Sequence, residues 1–278
     1  MKNRLIVAGI GIPALLAVIF FAPLWGWAIV VAAMAAVSAW ELLHTTQGIR
    51  FRTRYGVYAA VCAAAIPLGT VFGAGDFVLK LAAWLLMVVM FAEMMLTFRQ
   101  ETGRMHFVEP ALVFMGGIVF PFMLTALVRL GQHAPKAPYI LLTFVIVWIS
   151  DSGAFFVGNA MGKHKLAPHL SPNKSIEGAV GGLAAAILGA LLYGLVIKLC
   201  GYYVNFLAMM VYGLLGSLAG QMGDLAFSAI KREYGVKDYS NLLPGHGGML
   251  DRFDSTIFTA PLIELLVILW PAILMTTS

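Results

Sequence analysis

Two aspartates, Asp151 and Asp224, stand in stretches that are otherwise apolar, each about seven residues ahead of a polar, basic segment. An ionised carboxylate at the centre of a bilayer costs at least ~2.5 kcal/mol, so an acid kept there marks a functional position by default. At 1.5 Å per helical residue both carboxylates lie roughly 10 Å below the same surface, at a depth that lets them share one cavity. Helix-to-helix hydrogen bonding is the plain structural alternative. Asp224 also belongs to a face of small and polar residues, Gly216, Gly220, Asp224 and Ser228 at successive i+4 positions, with Ser217 and Gln221 beside them. Gly-x-x-x-Gly alone is a helix-packing pattern. Running into Asp224 and Ser228, this one reads as a face that begins as a close contact and ends as a wet site.

The segment that follows, Lys231–Ser255, carries Lys231, Arg232 and Lys237, then Gly245-His246-Gly247-Gly248, then Asp251 and Asp254. Glycines around a histidine let backbone N–H groups approach an anion closely, and the cations match phosphoryl oxygens. Asp251 and Asp254, three apart on a helix start, face the same way. With Asp224 they make an all-oxygen set that suits Mg2+ and not zinc. A solvated basic loop explains the lysines but neither the Gly-His-Gly-Gly run nor the aspartates.

A second polar segment, Gly158–Ser175, holds Lys163, Lys165 and Lys174 and leads into a helix whose N-cap is Ser175 and whose first turn contains Glu177. A helix N-terminus flanked by Lys174 suits a phosphate or pyrophosphate. Lys163 and Lys165 read equally well as orientation charges, and His164 and His169 as polar loop residues. His44, His106 and His133 sit at helix ends with no acid constellation. Cys62 and Cys200 are too few for a disulfide framework or a Cys-based zinc site.

These residues need a scaffold, and composition selects it. Of 278 residues, 61% are apolar and 11% charged, against about 25% charged in a soluble protein. That excludes a soluble enzyme and equally a disordered chain. Apolar stretches long enough to span a bilayer fall at Leu5–Phe21, Trp25–Leu43, Tyr55–Phe72, Val78–Phe98, Val108–Leu130, Pro138–Val157, Ile176–Cys200, Asn205–Ile230 and Phe258–Met275. The first is read as a helix and not a signal peptide, because Phe21-Ala22-Pro23-Leu24 offers no small-residue cleavage site. With the N-terminus in the cytoplasm, fourteen of the 18 Lys and Arg residues fall on the cytoplasmic side and four on the other, which selects N-in, C-out by the positive-inside rule. The net charge of +5 is therefore an orientation signal, not a sign of nucleic acid. The expected fold is an all-α, polytopic integral membrane protein of about nine helices. It divides into hydrophobic N-terminal helices over 1–135 and a C-terminal catalytic membrane domain over 136–278, where both polar loops lie.

At these loops the chain resembles the phosphatidate cytidylyltransferase (CDP-diacylglycerol synthase) family. The C-terminal signature of that family is matched by Ser228, Ile230-Lys231-Arg232, Lys237-Asp238, Leu243-Pro244, His246-Gly247-Gly248 and Asp251-Arg252-x-Asp254. Upstream blocks also match, at Ser150-Asp151-Ser152-Gly153-Ala154-Phe155, Gly162-Lys163-His164-Lys165-Leu166-Ala167-Pro168, Ser171-Pro172-x-Lys174 and Glu177-Gly178. The resemblance covers about residues 148–258. Departures are Asn159, where a basic residue is common, and Ser175-Ile176, where Thr-Trp is usual.

The resemblance implies a nucleotidyltransferase that makes CDP-diacylglycerol and pyrophosphate from CTP and phosphatidate with Mg2+, alone or with a second cation. It implies catalytic roles for Asp224, Asp251, Lys237 and His246, and metal ligation by Asp224 and Asp251, with Asp254 and Asp151 as further ligands or orienters. Lys174, Ser171, Ser175, Lys231, Arg232, Gly247 and Gly248 would bind phosphate or nucleotide. The expected partners are CTP, phosphatidate and membrane lipid, without nucleic acid, and the small-residue helix faces suit a homodimer. The expected location is the cytoplasmic (inner) membrane, with the active site facing the cytoplasm. A polyprenol-kinase-like enzyme, which releases CDP in place of pyrophosphate, and a cation-coupled transporter using Asp151 and Asp224 are the rival readings.

Overall fold

The computed structural model describes residues 2–47, 53–99, 104–133, 135–243, 245 and 247–275. Helix α1 spans Lys2–Phe21, α2 Leu24–Gln47, α3 Thr53–Val71 and α4 Gly75–Thr97. The short break between α1 and α2 falls at Pro23, which has no N–H to give a preceding turn. A fifth helical segment, Val108–Leu130, is broken into α5 (Val108–Phe114), a π turn over Met115–Val119, α6 (Phe120–Leu124) and α7 (Ala126–Leu130). The expected span Val108–Leu130 is thus present as one stretch long and apolar enough to cross a membrane, but with irregular turns inside it. Pro121, at the start of α6, has no N–H to give the preceding turn, and Gly116 and Gly117 let α2 and α3 approach at backbone distance.

Further along lie α8 (Lys136–Met161), β1 (Lys165–Ala167), β2 (Ser171–Ser175), α9 (Ile176–Leu199), β3 (Tyr202–Val204), α10 (Phe206–Glu233), α11 (Leu250–Leu269) and β4 (Ile273–Met275). Each expected span thus coincides with a helical segment. Seven of these, among the described residues, are long and apolar enough to cross a membrane by length and composition. The last differs from expectation: α11 ends at Leu269 and does not reach Met275. Pro271 disfavours helix at the preceding residue, and Ile273–Met275 pairs antiparallel with Tyr202–Val204 instead.

The helices form two compact units that are discontinuous in sequence. One comprises Met1–Val128 with Glu233–Arg252; the other comprises Arg129–Arg232 with Phe253–Ser278. The polar loop 233–252, which a division at residue 135 leaves with the later helices, therefore packs with the early ones. In the first unit the fully buried Trp27 donates its indole N–H to the Leu127 carbonyl at 3.0 Å. Its helix α4 leaves Trp84, Phe77 and Leu96 exposed, a surface whose natural solvent is hydrocarbon.

In the second unit Tyr139 donates to the Ile273 carbonyl (2.6 Å) and accepts from the Ile273 N–H (2.9 Å), fixing β4. Arg129 grips both carboxylate oxygens of Glu264, at 2.6 and 2.8 Å. The small-residue face of α10 is used inside this unit: Gly216 meets Ile146 and Ile263, and Gly220 meets Thr259 and Ser255. Thr259 adds a 3.1 Å hydrogen bond to the Gly216 carbonyl.

Candidate active site

In the second unit the polar residues converge where α8, α9 and α10 meet the β1–β2 hairpin. Ser175 ends β2 in extended conformation (φ −119°, ψ 156°), and its hydroxyl accepts from the Gly178 N–H at 3.1 Å. It is the expected N-cap of α9. Glu177 turns back along the chain to accept the N–H groups of Lys163 and His164, and its carboxylate lies 2.6 Å from the His164 ring. This anchors the loop before β1 to the start of α9. A methyl group on Gly178 would meet the Ala154 carbonyl at 2.8 Å, so the close approach of α8 to α9 needs glycine there.

The resulting cavity, of about 370 Å³, is lined by Asp151, Asn159, Lys174, Ser175, Gln221 and Asp224 among others. Asp151 and Asp224 therefore do share one cavity, as their equal depth suggested. Both helices run past their expected ends, to Met161 and Glu233, so each carboxylate lies nearer 15 Å than 10 Å from its helix terminus at 1.5 Å per residue. The Lys174 ammonium pairs with one Asp224 oxygen, and Ser228 donates to the other at 3.3 Å. Gln221 is held by the Ala179 carbonyl and by Ser217, and Ser217 in turn sits 2.6 Å from Ser150.

Asp254, on α11, is buried and lies within electrostatic reach of Asp224, Lys231 and Asp151. The approach is made possible by Gly223, where a methyl group would meet the Asp254 carbonyl at 2.7 Å. Lys231 is buried as well. Ser171 and Arg232 are not part of the cavity lining; Arg232 is exposed and donates to the Leu170 carbonyl at 3.2 Å, bracing the hairpin.

In the first unit the signature loop is held by two carboxylates. Asp251, buried, accepts the Tyr239 N–H (2.8 Å) and the Gly248 N–H (2.9 Å) on one oxygen. The Gly248 N–H, expected to face a phosphate, is thus engaged with Asp251. Gly247 adopts φ +82°, a left-handed conformation that glycine alone enters without strain. Glu41 of α2, which the motif-led reading passes over, accepts from Ser240 Oγ (2.6 Å), Met249 N (3.0 Å) and Leu250 N (2.8 Å). Lys237 is exposed. His246 lies outside the described residues.

No three His, Cys, Asp or Glu side chains among the described residues form a ready-made metal cage. Mg2+ does not require one. It is usually bound through one or two carboxylates plus substrate phosphates, and Asp151 and Asp224 in one cavity, next to Lys174, offer that donor set.

The family model described as "Cytidylyltransferase family" matches residues 2–270. The chain is 34% identical over 239 residues to a protein of Staphylococcus haemolyticus named phosphatidate cytidylyltransferase, covering 84% of this chain and 87% of that one. A protein of the same name from Staphylococcus saprophyticus is 35% identical over 239 residues, with the same coverage. One from Bacillus subtilis is 47% identical over 132 residues, 48% of each chain.

Proposed function

The chain belongs to the cytidylyltransferase family, and on that premise we propose that it is a membrane enzyme that makes CDP-diacylglycerol and pyrophosphate from CTP and phosphatidate. The observation that carries the reading is the cavity in which Asp151, Asp224, Lys174 and the N-terminus of α9 meet. It combines what two phosphate-bearing substrates need: oxygen ligands for a cation, a fixed positive charge, and a helix N-terminus directed at an anion.

In the proposed reaction an oxygen of the lipid phosphate attacks the α-phosphorus of CTP in line. A new P–O bond forms, the bond from the α-phosphorus to the α–β bridging oxygen breaks, and the electron pair leaves on pyrophosphate. Two anions must approach each other, so positioning and charge neutralisation carry the catalysis, without a covalent nucleophile. A bound Mg2+ would supply charge neutralisation for the phosphates. Asp224 and Asp151, which line the cavity, would hold it, with Asp254 and Asp251 as further candidate ligands or orienters.

Lys174, paired with Asp224, orients that carboxylate and offers its remaining N–H donors to a phosphate. Ser175 and the first turn of α9 would receive phosphoryl oxygens, and Lys231, Arg232, Lys237 and His246 would steady the lipid phosphate and the departing pyrophosphate. Tails that remain in the bilayer and CTP arriving from the cytoplasm fit a cavity near the cytoplasmic face of the inner membrane.

The test is direct. Detergent-solubilised protein supplied with CTP, phosphatidate and Mg2+ should release pyrophosphate and form CDP-lipid in equal amounts. Release of CDP with a phosphorylated lipid would identify a kinase, and no consumption of CTP would overturn the reading.

A further inference from the structure

The residue that holds the signature loop comes from the other end of the sequence. Helix α11 begins at Leu250, and its first N–H groups have no partners within the helix. In a capping box, the cap residue lends a side-chain oxygen to N–H groups of the first turn while a carboxylate three positions later reaches back to the cap residue's own N–H. Here Asp251 reaches back to Gly248, two residues ahead of Leu250. Half of that arrangement is present: Asp251 accepts the Gly248 N–H at 2.9 Å. Gly248 has no side chain to supply the other half. Glu41 supplies it instead, one oxygen receiving Met249 N at 3.0 Å and the other Leu250 N at 2.8 Å. The place a side chain would take at Gly248 is filled by the Glu41 carboxylate, which would stand 2.6 Å from an added methyl group.

The same carboxylate accepts from Ser240 Oγ at 2.6 Å, and one helical turn further along α2 Thr45 donates to the Tyr239 carbonyl at 3.0 Å. Glu41 and Thr45, four apart, thus present one face of α2 to both ends of the segment 239–250. Glu41 is 4% exposed, so its oxygens are met by these donors and not by water.

We infer that Glu41 is a positioning residue for the reaction: by capping α11 in place of a side chain at Gly248, it sets the conformation of the loop that carries Gly247, Gly248 and Asp251. The inference rests on the proposed reaction, but its geometry does not. Replacing the carboxylate by an amide leaves one oxygen and puts an NH2 group against a backbone N–H, since Met249 N and Leu250 N sit on different oxygens. Glu41→Gln therefore keeps part of the cap, and Glu41→Ala keeps none.

The experiment compares full-length wild type, Glu41→Gln and Glu41→Ala in detergent. Hydrogen exchange over residues 239–251 should quicken about tenfold in Glu41→Ala and less in Glu41→Gln, with α8, α9 and α10 unchanged. The Mg2+ concentration giving half-maximal CDP-lipid formation should rise about tenfold in Glu41→Ala, with partial recovery in Glu41→Gln. A purely structural role would lower the amount of active protein and leave that concentration where it was. Unchanged exchange over 239–251, or activity lost in step with faster exchange throughout the protein, would overturn the inference. Wild-type protein that formed no CDP-lipid would sink the reaction assignment while leaving the exchange comparison intact, so the two failures are told apart.

Discussion

The Lys174 ammonium, carried on the β1–β2 hairpin, donates to the Asp224 carboxylate on α10, fifty residues further along the chain. Both side chains are 29% exposed, so the pair is neither buried away from substrate nor diluted by bulk water. A cation bound by Asp224 and a phosphate bound by Lys174 would therefore be neighbours by construction. Lys174→Met should lower CDP-lipid formation, and the double variant with Asp224→Asn should be no worse than Asp224→Asn alone, because the two act as one unit. Steady-state rates of the three variants decide this, and multiplicative losses would show that the residues act separately.

Asp224→Asn preserves shape and removes charge. Turnover should fall about a hundredfold or more, a barrier increase of at least ~2.7 kcal/mol, while thermal unfolding in detergent stays close to wild type. Turnover retained with Mg2+ present would refute the ligand assignment.

Much of this site is legible in the sequence, and the reasons are local. Ser175 announces itself as an N-cap by residue type and by the apolar run that follows. Asp151 and Asp224 stand out because acids are costly inside apolar spans. Glu41 and Glu264 satisfy the same rule, yet their partners lie 209 and 135 residues away, and nothing in the neighbouring sequence signals a partner so distant. The β1–β2 hairpin escapes notice because Lys165–Ala167 is only three residues long and its register is irregular. The end of α11 is legible in hindsight from Pro271, but apolar composition through Met275 masks it.

Gly248→Ala should be destabilising by roughly 1–3 kcal/mol, since the added methyl group must displace the Glu41 carboxylate. The effect should shrink in a Glu41→Ala background, where that space is open. Thermal unfolding of the single and double variants measures the difference, and additive losses would mean that the strain lies elsewhere.

Arg129 and Glu264 form a bidentate pair with side chains 20% and 12% exposed. Removing one partner, as in Glu264→Gln or Arg129→Met, should cost about 3–5 kcal/mol, and replacing both by apolar residues considerably less. Unfolding in detergent tests the ordering; equal losses for the single and double changes would contradict it.

The return of residues 233–252 to the early helices has a consequence for biosynthesis. When the ribosome has completed only the first hundred or so residues, Glu41 is already committed to the bilayer, but its donors among the described residues, Ser240, Met249 and Leu250, are still untranslated. The nascent protein must therefore tolerate an unsatisfied acid, or keep it hydrated, until the last fifth of the polypeptide emerges. Truncated chains lacking that final portion should consequently be prime substrates for membrane quality-control proteases, however well their individual segments insert.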